Sequence, residues 1–267
     1  MKPADLEQYL IKRRKEFAKK FGQEINELRR EEGIWFGNRD VEISGILLTW
    51  MATIEAINKA AEENCNLILC HETPFFDTNW NTKEPLIPPW KVNEERKKLL
   101  TQNGITVFQA HATLDEILIT DTFGEVLGLP KPIVQAWRLQ NIYEISPTPL
   151  RKLANQVKKK MGLKIVRVIG DLNKKVKRIG MAYGGIGLFT NLCCWEEMLQ
   201  WNPEVVIAGE TDEYAMRYAI DNGLCVIETT HPLSENPGLE KFCNELKKVF
   251  PGIKVIFHRC GVPWKYI

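Results

Sequence analysis

The fold of this chain is decided by the stretch NLILCHE at residues 66–72. Its first five residues form a short, mostly apolar run that predicts a buried strand, and His71 and Glu72 follow where that strand ends. Residues 53–63 before it and residues 93–102 after it have a helical spacing of apolar side chains. A buried strand between two helices predicts α/β architecture.

The same alternation continues along the chain and predicts largely parallel sheets. The length of 267 residues suits one large α/β domain or two intertwined smaller ones. The predicted strands are residues 43–48, 66–70, 105–109, 164–169, 176–182, 204–208, 224–229 and 253–257. The predicted helices are residues 53–63, 93–102, 114–127, 151–161, about 192–200, 213–221 and 239–250. Residues 164–169 and 176–182 flank a short turn, which predicts a hairpin-like pair.

Three other segments carry weaker signals. Residues 2–32 are strongly charged and nearly helical in spacing, which predicts a helical lead-in that packs one face on the body or on a neighbouring subunit. Residues 73–90 are rich in Pro and Trp and predict a long loop. The glycine cluster at residues 184–187 predicts a tight turn into a helix, and its backbone amides are a candidate anion site.

The composition excludes few functions but sets a background. With a formal net charge of +2 and 26% charged residues, the chain gives no global case for nucleic-acid or membrane binding. We find no targeting signal and no apolar run long enough to span a membrane. The seven cysteines lack a C-x-x-C pair, so we expect reduced, buried thiols in a cytoplasmic protein.

Histidines provide the sharpest functional signal, because the chain has only four. Three of them lie just past the C-terminal end of a predicted strand, at the sheet edge where ligand sites of α/β proteins form. Each has a carboxylate within four residues. The pairs are His71 with Glu72, His111 with Asp115, and His231 with Glu235. Neutral imidazole and carboxylate are natural ligands of divalent cations, so the sequence predicts a site for two metal ions.

Simpler interpretations of the same residues stay open. A single histidine at a loop edge is often only a hydrogen-bonded structural residue. Asp115 and Glu235 could each merely begin the helix that follows, since acids are favoured at helix N-termini. His258, beside the last predicted strand, is interpreted as structural. Residues 151–178 contain eleven Lys and Arg and one acid, and are either a solvated face or a contact for phosphate or nucleic acid.

Several motifs of the sequence resemble those of the Nif-three-like family, whose members often carry the name type-two GTP cyclohydrolase I. Residues 66–76 are similar to the family's first metal motif, and the His-Ala-Thr-Leu-Asp of residues 111–115 is similar to its His-Thr-Asn-Leu-Asp. Residues 208–210 and 230–235 are similar to its last two motifs, and residues 184–187 to its glycine turn. The order and spacing agree from about Gly33 onward.

The resemblance implies two intertwined α/β lobes and a toroidal homohexamer with dinuclear metal sites. The metal-site lobe would comprise residues 1–130 and 237–267, with residues 1–32 as an extension, and the second lobe residues 131–236. The implied metal ligands are His71, Glu72, Asp115, His231 and Glu235. His111 would lie behind these ligands, and His111 or Glu210 would transfer protons.

Glu72 stands where the family usually has a second histidine. An oxygen donor there favours Mn, Fe or Mg over a nitrogen-rich Zn site. The first functional hypothesis is a metal-dependent hydrolase of a nucleotide-like or other small substrate, of which GTP cyclohydrolase is the version the family name implies. The alternatives are a non-catalytic metal-binding regulator, carrier or scaffold, and a nucleic-acid-binding ring.

Overall fold

The computed structural model of the chain describes residues 1–77, 87–135, 141–265 and 267. These residues form two compact units, Met1–Leu118 with Gly238–Cys260 and Ile119–Pro237 with Gly261–Ile267. Of the long loop predicted at residues 73–90, residues 78–86 lie outside the described residues.

The fold is α/β, as predicted. Its helices are α1 (Pro3–Lys19), α2 (Ile54–Glu62), α3 (Lys91–Gln102), α4 (Ala112–Leu114), α5 (Thr120–Leu127), α6 (Leu150–Lys160), α7 (Leu192–Leu199), α8 (Glu213–Asp221) and α9 (His231–Val249). Its strands are β1 (Gly33–Phe36), β2 (Gly45–Thr49), β3 (Leu67–Cys70), β4 (Thr106–Gln109), β5 (Val134–Gln135), β6 (Asn141–Pro149), β7 (Arg167–Ile169), β8 (Lys175–Ala182), β9 (Val205–Ala208), β10 (Cys225–Glu228) and β11 (Lys254–His258). A π-helix (Asp115–Ile119) joins α4 to α5, and 3₁₀ turns (Gly184–Gly187 and Phe189–Asn191) precede α7.

The first unit contains a five-stranded sheet in the order β1-β4-β3-β2-β11. Four of its strands, β4, β3, β2 and β11, are parallel to one another, and the edge strand β1 is antiparallel to β4. Thr49 pairs with Cys70, and Cys70 pairs with Gln109. The carboxyl ends of β2, β3 and β4 are therefore level, and the loops that leave them begin side by side.

The second unit contains a six-stranded sheet in the order β5-β6-β8-β9-β10-β7. Only its central strands β8, β9 and β10 are parallel, so the expectation of largely parallel strands is wrong for this sheet. The predicted hairpin is also wrong, because β7 pairs with β10 while β8 lies between β6 and β9. Adjacent strands in sequence need not be adjacent in a sheet when buried strands such as β9 and β10 compete for the same edge.

Helical segments differ from expectation at three places, and the first is the helix predicted at residues 114–127, where a π-helix (Asp115–Ile119) separates α4 from α5. The lead-in is helical only to Lys19, since the chain turns at Gly22, whose φ of +68° is easy for glycine. The last helix begins at His231, eight residues before the predicted start. Pro232 is tolerated there because the first turn of a helix needs no N–H donors.

Strand β6 was not predicted, because its two prolines and polar residues do not form the apolar alternation of a strand. The core of each unit is apolar and largely sealed from solvent. No helix within the described part of the chain has both the length and the apolar character needed to cross a membrane.

Candidate functional site

Four of the predicted side chains lie together in the first unit, in the loops after β3 and β4. His71 follows β3 directly and is fully buried, and Glu72 and Asp115 are also buried. His71 Nε2 lies 3.6 Å from Asp115 Oδ1, while His111 Nε2 lies 3.7 Å from Glu72 Oε1 and 3.8 Å from Asp115 Oδ2. The structure therefore brings these four side chains together within the first unit.

Backbone contacts fix the orientation of His71. Its N–H donates to carbonyls at the end of β2, and its own carbonyl accepts a 3.2 Å hydrogen bond from Gln109 Nε2. Its Nδ1 lies 3.3 Å from the carbonyl oxygen of Ala110, an acceptor only. Nδ1 therefore carries the proton when it makes this contact, which leaves the Nε2 lone pair on the side of Asp115.

Asp115 enters the group through an unusual backbone segment. It begins the π-helix, a form that is rare in proteins and frequent at functional sites. The Asp115 amide donates to the carbonyl of His111, four residues earlier, at 3.1 Å. Local hydrogen bonding thus holds the His111 and Asp115 side chains in the same turn.

This donor set suits a divalent cation. One donor atom each from His71, Glu72 and His111 lie within 4.8 Å of one another. The separations of 3.6–3.8 Å exceed a hydrogen bond, and two ligands about 2.1 Å from one ion at a tetrahedral angle lie roughly 3.4 Å apart. With neutral imidazoles the group carries two negative charges in a buried place, which a cation would offset.

The second unit holds the other predicted residues at the start of α9. His231 Nε2 lies 3.3 Å from Glu235 Oε1, one helical turn on, and its Nδ1 lies 3.0 Å from Glu210 Oε2. Glu235 is buried, whereas Glu210 is about half exposed. The carboxylate of Glu210 thereby holds the His231 ring with Nε2 on the side of Glu235. Joint ligation by this pair and the group in the first unit stays a prediction.

The glycine turn supports this pair within the second unit. The Gly184 amide donates to Ser234 Oγ at 2.9 Å, and Ser234 Oγ–H donates to the His231 carbonyl at 2.7 Å. Gly184 has a φ of +55°, and a Cβ there would overlap a carboxylate oxygen of Glu235. The preceding Thr230 has a φ of +125°, which is strained for a β-branched residue.

Two further residues hold the backbone of candidate ligands. Gln109 Nε2 donates to the His71 carbonyl, and Ser234 Oγ accepts from the Gly184 amide and donates to the His231 carbonyl. No sequence pattern predicts these contacts. Cys70, the thiol next to His71 in the sequence, is fully buried. Burial raises its pKa well above its ordinary value, so it stays protonated and inert.

The basic segment at residues 151–178 is partly used within the second unit. Arg167 pairs with Glu228, and Lys177 and Arg178 pair with Glu144. Lys174 Nζ donates to the carbonyl of Gly223 at 3.0 Å. These contacts favour the structural interpretation of this segment over a dedicated phosphate site.

Comparison with known proteins supports the fold and the family resemblance. The chain is similar to two proteins that are both named "GTP cyclohydrolase 1 type 2 homolog". One is from Clostridium perfringens and is 26% identical over 81% of this chain and 82% of the relative. The other is from Clostridium acetobutylicum, at 23% identity over 80% and 81%. The solved structure of the protein ybgI, described as of unknown function, covers 99% of this chain with a TM-score of 0.77 and 19% identity, and all of that chain is matched.

The sequence model of one family covers nearly the whole chain. It is described as Duf34/NIF3 (NGG1p interacting factor 3), and it matches residues 16–261. This span includes both groups of candidate ligands and both sheets. The chain therefore belongs to the Duf34/NIF3 family.

Proposed function

We propose that this chain binds two divalent metal ions, of the Mn, Fe, Zn or Mg class, through His71, Glu72, Asp115, His231 and Glu235. The observation that carries the proposal is the buried group in the first unit, in which imidazole and carboxylate donors lie within 4.8 Å. The His231–Glu235 pair supplies the same two donor types in the second unit. The first group also contains His111, whose Nε2 lies 3.7 Å from Glu72 Oε1 and which we place behind the ligands.

We extend the proposal to a metal-dependent hydrolase of a nucleotide-like or other small substrate. Both curated relatives bear a cyclohydrolase name, and that name is the support for the substrate class. Divalent ions in such a site act as Lewis acids and lower the pKa of water, which supplies a nucleophile near neutral pH. His111 and Glu210 are the solvent-accessible acid–base groups beside the donors, so we assign them the proton transfers.

Two other functions use the same chain differently. A non-catalytic metal regulator, carrier or scaffold would bind metal with saturation and turn over no nucleotide. A nucleic-acid-binding ring, assembled as the homohexamer that family resemblance implies, would bind with an affinity that falls steeply with salt and survives metal removal. Arg167, Lys177 and Arg178 pair with acids of their own unit, so the basic segment gives the nucleic-acid-binding ring no advantage over the hydrolase.

The decisive experiment is metal analysis of the purified protein with matched variants. We expect wild type to retain metal, and Asp115→Ala and His231→Ala each to lose most of it, because each removes a ligand. His258→Ala is the control, since His258 lies on β11 beside Glu55 and belongs to neither donor group. Equal metal content in all four proteins would sink the proposal. A screen of nucleotides and phosphodiesters with and without metal then separates hydrolase from regulator.

A further inference from the structure

Arg14, Arg29 and Glu32, all from the N-terminal residues, make ionic and hydrogen-bond contacts with the segment that carries His111 and Asp115. Glu116, next to Asp115, is almost fully buried, and its Oε2 accepts a 2.8 Å hydrogen bond from Arg14 Nε. Arg29 Nη2 lies 2.6 Å from the other oxygen, Oε1. Two guanidinium groups therefore hold one carboxylate whose neighbour along the chain is a candidate ligand.

A second acid, Glu32, accepts hydrogen bonds from Thr113, two residues before Asp115. Glu32 Oε1 accepts from the Thr113 amide at 2.8 Å, and Glu32 Oε2 accepts from Thr113 Oγ1 at 2.6 Å. The Arg29 amide donates to Glu32 at 2.9 Å, so Arg29 and Glu32 brace one another. Arg14 Nη1 also donates to a carbonyl of this N-terminal stretch, at Glu27, at 2.8 Å.

We infer that Arg14 and Arg29, acting through Glu116, are positioning residues that hold the His111–Asp115 turn in the geometry that binds metal. The inference rests on the proposed metal-binding function and assigns the N-terminal stretch a role in it. A π-helix is intrinsically less favourable than an α-helix, so contacts from outside must hold it. Glu116 is fixed on the side of Arg14 while Asp115 lies against His71, so the anchor on Glu116 sets the place of the Asp115 carboxylate.

Stability alone gives a weak reason for this cluster. Burying an ion pair costs desolvation that its attraction barely repays, and apolar replacements are often neutral or stabilising. The directional hydrogen bonds from the Arg14 and Arg29 guanidinium groups to Glu116 instead restrict where the π-helix can lie. The cluster therefore fits a device for geometry better than a device for stability.

The test measures binding of Co²⁺ alone, by titration and by its visible absorption spectrum at saturation. We expect Arg14→Met to weaken Co²⁺ binding by roughly tenfold, at the low end of losses seen when groups that orient ligands are removed. The spectrum should also change, because it reports ligand geometry rather than fold stability. Arg14→Lys, which keeps the charge, should restore part of the affinity.

Arg13→Met is the matched control. Arg13 is the preceding residue of α1 and binds Glu245 rather than Glu116, so its loss removes an ion pair without touching the ligand-bearing turn. We expect its affinity and spectrum to match those of wild type. The inference is wrong if folded Arg14→Met matches wild type in both measurements.

If Arg14→Met fails to fold, the double variant Arg14→Met/Glu116→Leu replaces the pair by apolar side chains and keeps the test open. We expect it to fold and still to bind Co²⁺ more weakly, and wild-type affinity in it would overturn the inference. Failure of wild type itself to bind Co²⁺ would sink the proposed function and, with it, this inference.

Discussion

At the scale of single residues, Gly184 decides whether the Glu235 carboxylate can stay where it is. Its φ of +55° favours glycine, and any Cβ would overlap Glu235. We predict that Gly184→Ala costs about 1–3 kcal/mol from the backbone conformation and, in addition, displaces the carboxylate and lowers the metal content. Urea unfolding and metal analysis measure the two effects.

Gly162→Ala provides the comparison for this prediction. Gly162 has a similar φ of +66°, but nothing lies within 4 Å of the position of its Cβ. It should lose a similar amount of stability, roughly 1–3 kcal/mol, from backbone strain and retain full metal content. Equal metal content in Gly184→Ala and Gly162→Ala would show that the turn has no influence on Glu235.

The His111–Asp115 spacing shows how a residue pattern gains meaning from its backbone. Four residues in an α-helix would place these side chains on one face. The structure keeps that proximity although the segment changes from α-helix to π-helix at Asp115. Asp115 and Glu116 consequently serve different contacts, one with the candidate ligands and one with Arg14.

At the scale of elements, Glu63 at the end of α2 forms an ion pair with Lys254 of β11. Its carboxylate lies 2.7 Å from Lys254 Nζ and 2.9 Å from Lys59 Nζ. The hydrogen bond from Lys254, followed by that from Lys59, lowers the pKa of Glu63 from 4.5 to about 2. Because the folded state holds this proton less tightly, the stabilisation is present above pH 4.5 and is lost as the pH falls towards 2.

We therefore predict that Glu63→Gln melts below wild type at pH 6 and that the gap closes between pH 4.5 and 2. Salt should reduce the gap, since the pair is near the surface. Glu7→Gln, at an exposed position of α1, should follow wild type at every pH. A difference between Glu63→Gln and wild type that does not change with pH would contradict this account.

At the scale of the whole molecule, metal binding should appear as added stability. A ligand that binds only the folded state adds about 2.7 kcal/mol at one hundred times its dissociation constant. Two compact units can unfold as two transitions, so calorimetry is the suitable measurement. We predict that Mn²⁺ raises every transition of wild type and that a chelator reverses the shift, because His71, Glu72 and Asp115 lie in the first unit and His231 and Glu235 in the second.

Asp115→Ala is the control for this experiment and should show little shift with Mn²⁺. A metal-dependent shift confined to one of two transitions would limit the site to one unit. That outcome would contradict joint use of Asp115 and His231 while leaving metal binding by the first unit intact.

The sequence by itself determined the strand-and-helix alternation and the placement of His71, His111 and His231 after buried strands. These features depend on the period of apolar side chains within about ten residues, which any fold containing the segment must respect. The family motifs likewise lie within short stretches of the chain. For this reason α/β class, strand-end histidines and family were all within reach before the structure.

Only the tertiary structure decided which strands pair and which distant side chains meet. Strand β7 joins β10 rather than β8, and Glu116 meets Arg14 from 102 positions away. No local period encodes such partners, because they are chosen by competition among whole strands and by the burial of charges against one another. The sequence therefore predicts only a charged helical lead-in for the N-terminal stretch. In the folded chain its residues Arg14, Arg29 and Glu32 contact the turn that carries His111 and Asp115.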